Sequence, residues 1–237
     1  MRDSLLDNIY LLNLDSRKDR LAMMDYKLKE LGIEYKRISA VLGSNYTNDY
    51  EKYINDVSRI LFNKKRDKKY IINSLGAYGI LLTYKNIISP LGLKLNKHIM
   101  IFEDDICFHH DFKNNLLKYK DIINKNDVVW LGSQVFRWSK KMNLDINKKG
   151  YHNIILRNKQ QRKRTLVCGA YCMVYSPRFL KILKENIDND FDTIRIKNYD
   201  LYIIDLLFKY KNLKSCLIKP DLVLPQIFES DNMGPRN

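Results

Sequence analysis

Three consecutive carboxylates, Glu103, Asp104 and Asp105, follow the apolar run His98-Ile99-Met100-Ile101-Phe102 in the stretch NKHIMIFEDDICFHHDF. Two ionised carboxylates about 4 Å apart repel by roughly 4 kcal/mol at an effective dielectric near 20, so a packed cluster calls for a cation or a raised pKa. A divalent ion is the economical partner. Hard oxygen ligands with open positions suit Mg²⁺ or Mn²⁺ bridging a diphosphate, where the metal acts as a Lewis acid on the leaving group. In the plainer alternative, one acid caps the following helix and the others face water.

The elements that must position this cluster can be read from periodicity. Residues 8–14 and 98–108 are apolar runs of the kind buried on both faces of a parallel sheet. Between residues 17 and 31, Leu21, Met24, Leu28 and Leu31 recur at helical spacing, and Gly32 follows as a C-terminal cap. IEYKRISAV reads as the second strand of a β-α-β unit. The polar stretch from residue 42 to residue 70 reads as an excursion or flexible loop with a short helix around 50–62. Helices are expected at 74–88, stopped by Pro90, at 112–124, from Pro177 onward and across NYDLYIIDLLFKYKN, where Asn198 would be the cap. DVVWLGSQ is a buried strand, two more flank a basic loop between 153 and 176, and SCLIKPDLVLPQ is the last. Such alternation predicts an α/β fold with a mainly parallel sheet, in which ligands bind outside the carboxyl ends of the strands. The acidic triplet falls at one of those ends.

Composition bounds the rest. The chain has 237 residues, 45% of them hydrophobic, enough for a core of one large domain. No internal repeat or linker divides it. Its 42 Lys and Arg against 27 Asp and Glu give a formal charge of +15, which favours anionic partners, although an AT-rich coding bias toward lysine gives the same excess. Cys107, Cys168, Cys172 and Cys216 have no companion His cluster, so they read as reduced, mostly buried residues rather than a zinc framework. Neither a signal peptide nor a run of about 18–20 apolar residues is visible, so no transmembrane segment and a cytoplasmic location are expected.

The ordered segments IYLLNLDSRKDR, GIEYKRISAVLG, LGAYGILLTYKNI, IMIFEDDI, VCGAYCMVYSPRFLKIL, YDLY and PQIFESD together resemble glycosyltransferase family 25, of the lipooligosaccharide and collagen galactosyltransferase type. The resemblance spans nearly the whole chain and implies a GT-A fold: a Rossmann-like, mainly parallel sheet flanked by helices, in a single domain with a nucleotide-binding half (about 1–130) and an acceptor-binding half (about 131–237). It implies inverting transfer of a hexose, galactose or glucose, from a UDP-sugar donor to a glycan or protein acceptor such as hydroxylysine, with Mn²⁺ or Mg²⁺. By the same resemblance Asn13, Asp15, Arg17 and Arg20 lie against the nucleotide, and Gly76 and Thr83 line the nucleotide-sugar site. Asp105 is then the direct metal ligand, Asp104 sits near the ribose and Glu103 acts through water. Asp200 is the candidate general base, ahead of Asp205, and Asp231 approaches the metal or diphosphate from the closing motif that also holds Gln226. Where the family shows Ser-His, this chain has Thr83-Tyr84. Threonine keeps the hydroxyl, but tyrosine cannot stand in for an imidazole near neutral pH. Met173, where the family tends to have tyrosine, reads as core.

The basic runs at 63–70 and 157–164 suit a donor or acceptor grip, or simply solvated loops. A nucleic-acid-binding module would interleave aromatics with these charges, and almost none are present, so no nucleic-acid partner is expected. A metal-dependent nucleotidyltransferase would show a Lys-anchored phosphate loop or a second acidic strand, and neither is visible. A catalytically inactive UDP-binding homologue is the remaining alternative.

Overall fold

The computed structural model describes residues 8–64, 72, 74–91, 96–133, 150–153, 169–192, 198–219 and 221–226. It opens with the expected unit: β1 (Ile9–Asn13), α1 (Lys18–Glu30) and β2 (Lys36–Ser39), with β1 and β2 parallel. Gly32 ends α1 at φ 62°, its N–H on the Lys29 carbonyl and the Ile33 N–H on the Leu28 carbonyl, both at 2.9 Å. A residue lacking Cβ adopts that backbone without steric cost.

Five elements differ from the sequence expectation. The stretch after β2, read as an excursion or loop with a short helix around 50–62, is a 3-10 turn, Gly43–Tyr46, leading into a longer helix of 18 residues, α2 (Thr47–Lys64). Its Tyr50, Tyr53 and Val57 stripe packs on α3 (Leu75–Leu91), with Tyr78 centred 5.6 Å from Tyr50 and 5.9 Å from Tyr53. The charges on the outer face mask that stripe. Pro90 does not stop α3 but sits in its last turn. The 98–108 run is two strands, β3 (Ile99–Glu103) and β4 (Ile106–Phe108), and the closing stretch likewise splits into β8 (Ser215–Ile218) and β9 (Val223–Pro225). Finally, the 112–124 helix is α4 (Phe112–Lys118) and α5 (Lys120–Asn124), broken at Tyr119 (φ −96°, ψ 8°).

The remaining elements are β5 (Val128–Trp130), β6 (Tyr151–Asn153), β7 (Cys172–Tyr175), α6 (Pro177–Asp192) and α7 (Tyr199–Lys209). Seven strands form one sheet in the order β2-β1-β3-β7-β5-β8-β6, and β4 and β9 form a separate antiparallel pair. Strands β1, β2, β3, β5 and β8 point one way, while β7 and β6 run against them. This is the α/β, Rossmann-like, mainly parallel sheet flanked by helices expected of a GT-A fold.

Unbroken apolar runs are needed because both faces are covered. Tyr10, Leu12, Ile99, Ile101, Trp130 and Met173 face a core shared with α2, α3, α6 and α7. Ile9, Leu11, Met100, Phe102, Cys172 and Val174 face the other, shared with α1, α4 and α5. Met173 is fully buried, as its apolar character predicts. Cys107, Cys172 and Cys216 are unpaired, and burial pushes the Cys216 thiol up to about 12. At the amino end of β5, buried Asp127 accepts the Ser176 hydroxyl (2.8 Å) and the Lys214 N–H (2.9 Å), and Arg178 lies 3.5 Å away. No helix among the described residues is long and apolar enough to cross a membrane.

The strand order reverses at β1. The connection from β1 leads through α1 to β2 on one side, and the connection from β2 returns through α2 and α3 to β3 on the other. A crevice therefore opens between the carboxyl ends of β1 and β3, the place where open α/β sheets take ligands.

Candidate active site

That crevice is present as a pocket enclosing about 660 Å³ of non-atom space, its open mouth included. Its floor is the end of β1, Leu12 to Leu14. One wall is the Ala40–Gly43 segment after β2, another is Gly76, Ile80 and Thr83 of α3, and the third is Glu103, Asp104 and Asp105 with Arg20 behind them. The pairing of Leu12 with Glu103 and of Asn13 with Ser39 sets these ends level. One side is thus mainly apolar and the opposite side acidic. Asn13, Arg20, Gly76, Thr83, Glu103, Asp104 and Asp105, all predicted from the sequence, meet here.

The acidic wall carries its own cation. Arg20 of α1 is 5% exposed, with Nη1 3.2 Å from Asp104 and 3.9 Å from Asp105. At such separations a guanidinium offsets much of the repulsion between the two carboxylates, so part of the compensation expected of a metal is built into the fold. Asp104 is the more committed acid: its Oδ1 accepts from Arg20 and its Oδ2 accepts the Asn13 side-chain amide at 2.6 Å. Asp105 is more open, with 21% of its side chain exposed against 11% for Asp104. Its carbonyl accepts the Gln226 N–H at 2.7 Å, which ties the end of β9 to the acidic turn.

No group of three or more His, Cys, Asp or Glu side chains able to hold a metal exists among the described residues. A divalent ion here would take Asp105, with Glu103 nearby, and complete its shell from ligand phosphates and water, a common arrangement for Mg²⁺. The hard oxygen donors fit that ion.

Asp15 and Arg17 lie outside the pocket lining. Asp15 accepts from the Ser39 hydroxyl and from Arg37, and these bonds hold its carboxyl below the usual carboxylate range. Arg17 pairs with Asp19 at 2.9 Å and draws that carboxyl down to about 2. The Thr83 hydroxyl is engaged by the backbone: it accepts the Val41 N–H (2.7 Å) and donates to the Gly79 carbonyl (2.8 Å). Tyr84 is turned away, fully buried, with its ring stacked on Tyr199 at 3.5 Å and 11°. Asp200 does not line the pocket either. Its Oδ1 accepts the Leu201 N–H at 2.8 Å and its Oδ2 the Gly169 N–H at 3.2 Å, Gly169 being held at φ 92°. Asn198 holds the cap position of α7 without a side-chain bond, and Asp200 serves that end instead. Asp231, and the basic runs apart from residues 63 and 64, fall outside the described residues.

Three contributors were given no role from the sequence. Arg37, on exposed strand β2, donates through Nε to Asn13 Oδ1 at 3.0 Å. Gly43 and Gly79 bring the wall after β2 against α3, since a Cβ on Gly79 would stand 2.6 Å from the Val41 carbonyl oxygen.

Residues 6–183 match the model of glycosyltransferase family 25, described as an LPS biosynthesis protein. The chain is 29% identical over 113 residues to a glycosyltransferase 25 family member of Drosophila melanogaster, covering 48% of this chain and 18% of that protein. It is 27% identical over 124 residues to human procollagen galactosyltransferase 2 (52% and 20%), and 26% identical over 149 residues to the Mus musculus protein of that name (63% and 23%). Each alignment therefore spans about a fifth of the curated relative's length. With a family match over most of its length and the carboxylate turn seated at the switch point of its sheet, the chain belongs to glycosyltransferase family 25.

Proposed function

We propose that the chain is an inverting, metal-dependent glycosyltransferase that moves a hexose, galactose or glucose, from a UDP-sugar to a glycan or hydroxylysine-type acceptor. The observation that carries this reading is the two-sided pocket, with Leu12, Val41, Leu42 and Ile80 facing Glu103, Asp104 and Asp105. The apolar side suits the faces of a uracil ring, and Leu42, 41% exposed, leaves an apolar lip for it. The acidic side suits the ribose hydroxyls and a metal-bound diphosphate. The human and mouse relatives named as galactosyltransferases support galactose as the first donor to test.

In this reading Asp104, held by Asn13 and Arg20, accepts from a ribose hydroxyl, Asp105 would hold Mn²⁺ or Mg²⁺ directly, and Glu103 would act on the ion through water. The metal, when bound, neutralises charge developing on the departing diphosphate. The acceptor hydroxyl oxygen bonds to the anomeric carbon on the face opposite UDP, the carbon–oxygen bond to the phosphate breaks with its electron pair leaving on UDP, and a base takes the hydroxyl proton. Asp200 is the proposed base, by the resemblance of its segment to the family, and its carboxylate is held in place by the Leu201 and Gly169 N–H groups. The nucleotide half lies within about 1–130 and the acceptor half within about 131–237. The burial of Tyr84 where the family has histidine favours a second reading, a UDP-binding chain without turnover.

Calorimetry with UDP-galactose, UDP-glucose and UDP, with and without Mn²⁺, tests the first step, with Asp105→Ala as control. Mn²⁺-dependent binding that the variant loses is the expected result. Undiminished affinity in Asp105→Ala removes that residue from the metal site, and binding without hydrolysis or transfer selects the second reading.

A further inference from the structure

Arg37 has no place in the pocket lining, yet its guanidinium makes the first link of a chain of hydrogen bonds that ends at the acidic wall. Its Nε donates to Asn13 Oδ1 at 3.0 Å and its Nη2 to the Asn13 carbonyl at 3.4 Å. Asn13 is 1% exposed, and its Nδ2 donates to Asp104 Oδ2 at 2.6 Å and to the Arg17 carbonyl at 3.0 Å. Both amide hydrogens and the amide oxygen are therefore in use. An amide side chain can sit in either of two orientations of nearly equal shape, and its hydrogen-bond partners alone choose between them. Reversed, Asn13 would set its oxygen against the Asp104 carboxylate and its NH₂ against the Arg37 guanidinium, acceptor to acceptor and donor to donor. Arg37 enforces the orientation from one side and Asp104 from the other.

We propose that Arg37 is a positioning residue of the donor pocket: it fixes the Asn13 amide so that the NH₂ faces Asp104 and holds that carboxylate in place for the donor. The inference rests on the reading that the pocket takes a UDP-sugar. Arg37 acts across β2, β1 and β3, through a strand-end amide rather than by touching the ligand. Its second partner, Asp15, is a separate clasp between the turn after β1 and Ser39.

The test reads the Asn13 side-chain amide directly. In a ¹⁵N-labelled protein, its NH₂ pair is identified by its loss in Asn13→Ser, and its position is compared in Arg37→Ala, Arg37→Lys and Asp15→Ala, alongside UDP affinity with Mn²⁺. Arg37→Ala is expected to displace the pair and weaken UDP binding roughly tenfold, the scale of one charge-assisted bond. Arg37→Lys, a point charge without the planar fork, restores neither fully. Asp15→Ala leaves the pair where it was. An unmoved pair in Arg37→Ala, or a displaced pair with unchanged UDP affinity, overturns the proposal. Should the unaltered protein bind no UDP, the donor reading falls, and the amide resonance alone decides whether Arg37 fixes Asn13.

Discussion

Gly43 lies so close to Leu75 that a Cβ on residue 43 would stand 1.8 Å from the Leu75 carbonyl oxygen. Here the segment after β2 meets the first turn of α3, and the pocket wall has no slack. Gly43→Ala is expected to cost at least about 2 kcal/mol, because backbone rather than a yielding side chain must move. Urea unfolding gives the loss, and a midpoint within experimental error of the unaltered protein contradicts the packing.

The same wall hangs on Thr83, which accepts the Val41 N–H. Thr83→Val keeps the shape but leaves that N–H without its partner, a loss of about 1–3 kcal/mol, whereas Thr83→Ser retains the bond. Thermal unfolding of the two variants separates hydroxyl from bulk. Equal melting temperatures would mean that the hydroxyl does not tether the wall.

Asp127 is the buried acid at the other end of the sheet, bonded to Ser176 and Lys214. Asp127→Ala is expected to lower stability by about 2–4 kcal/mol, since a buried hydroxyl and a backbone N–H lose their shared acceptor. UDP affinity at saturating metal should stay unchanged. A large drop in affinity at unchanged stability would place Asp127 in the site and not beneath it.

Asp19 supplies a pH signature. Its hydrogen bond from Arg17 is the chief cause of a folded-state pKa of about 2, against an ordinary value of 3.8. A depressed acid stabilises the fold fully above the unfolded value, and that contribution disappears as pH falls through about 2. Asp19→Asn should therefore narrow the stability gap between pH 5 and pH 2. The effect is small for an exposed pair, and an unchanged pH slope in denaturant midpoints would rule it out.

Much of the fold was legible because it is local. The β1-α1-β2 unit rests on an apolar run, a helical stripe and a glycine stop, all within one stretch of chain. Helix α2 was read only as a short helix within a loop because its stripe of Tyr50, Tyr53 and Val57 acquires its full meaning only against Tyr78 of α3. The split of the 98–108 strand was hidden because β4 exists only by pairing with β9, a partner distant in the chain. Within the site, residue type and strand-end position brought out the acidic triplet, and the family resemblance brought out Asn13 and Arg20. Asp15 and Arg17 carry the same chemistry, but Ser39 and Asp19 claim them, which spacing cannot reveal. Arg37 was invisible for the opposite reason: a basic residue on an exposed edge strand looks like solvated charge until the Asn13 amide is seen beneath it.

Strand β7 is sandwiched by β3 and β5, both of which precede it in the chain. On a ribosome delivering roughly 5–20 residues each second, β2, β1 and β3 can join early, while β5 waits for residues 172–175. Until they emerge, one flank of β3 offers bare amides and carbonyls to any passing strand. Chaperone capture during synthesis should therefore concentrate on that interval, and end when β7 slots in.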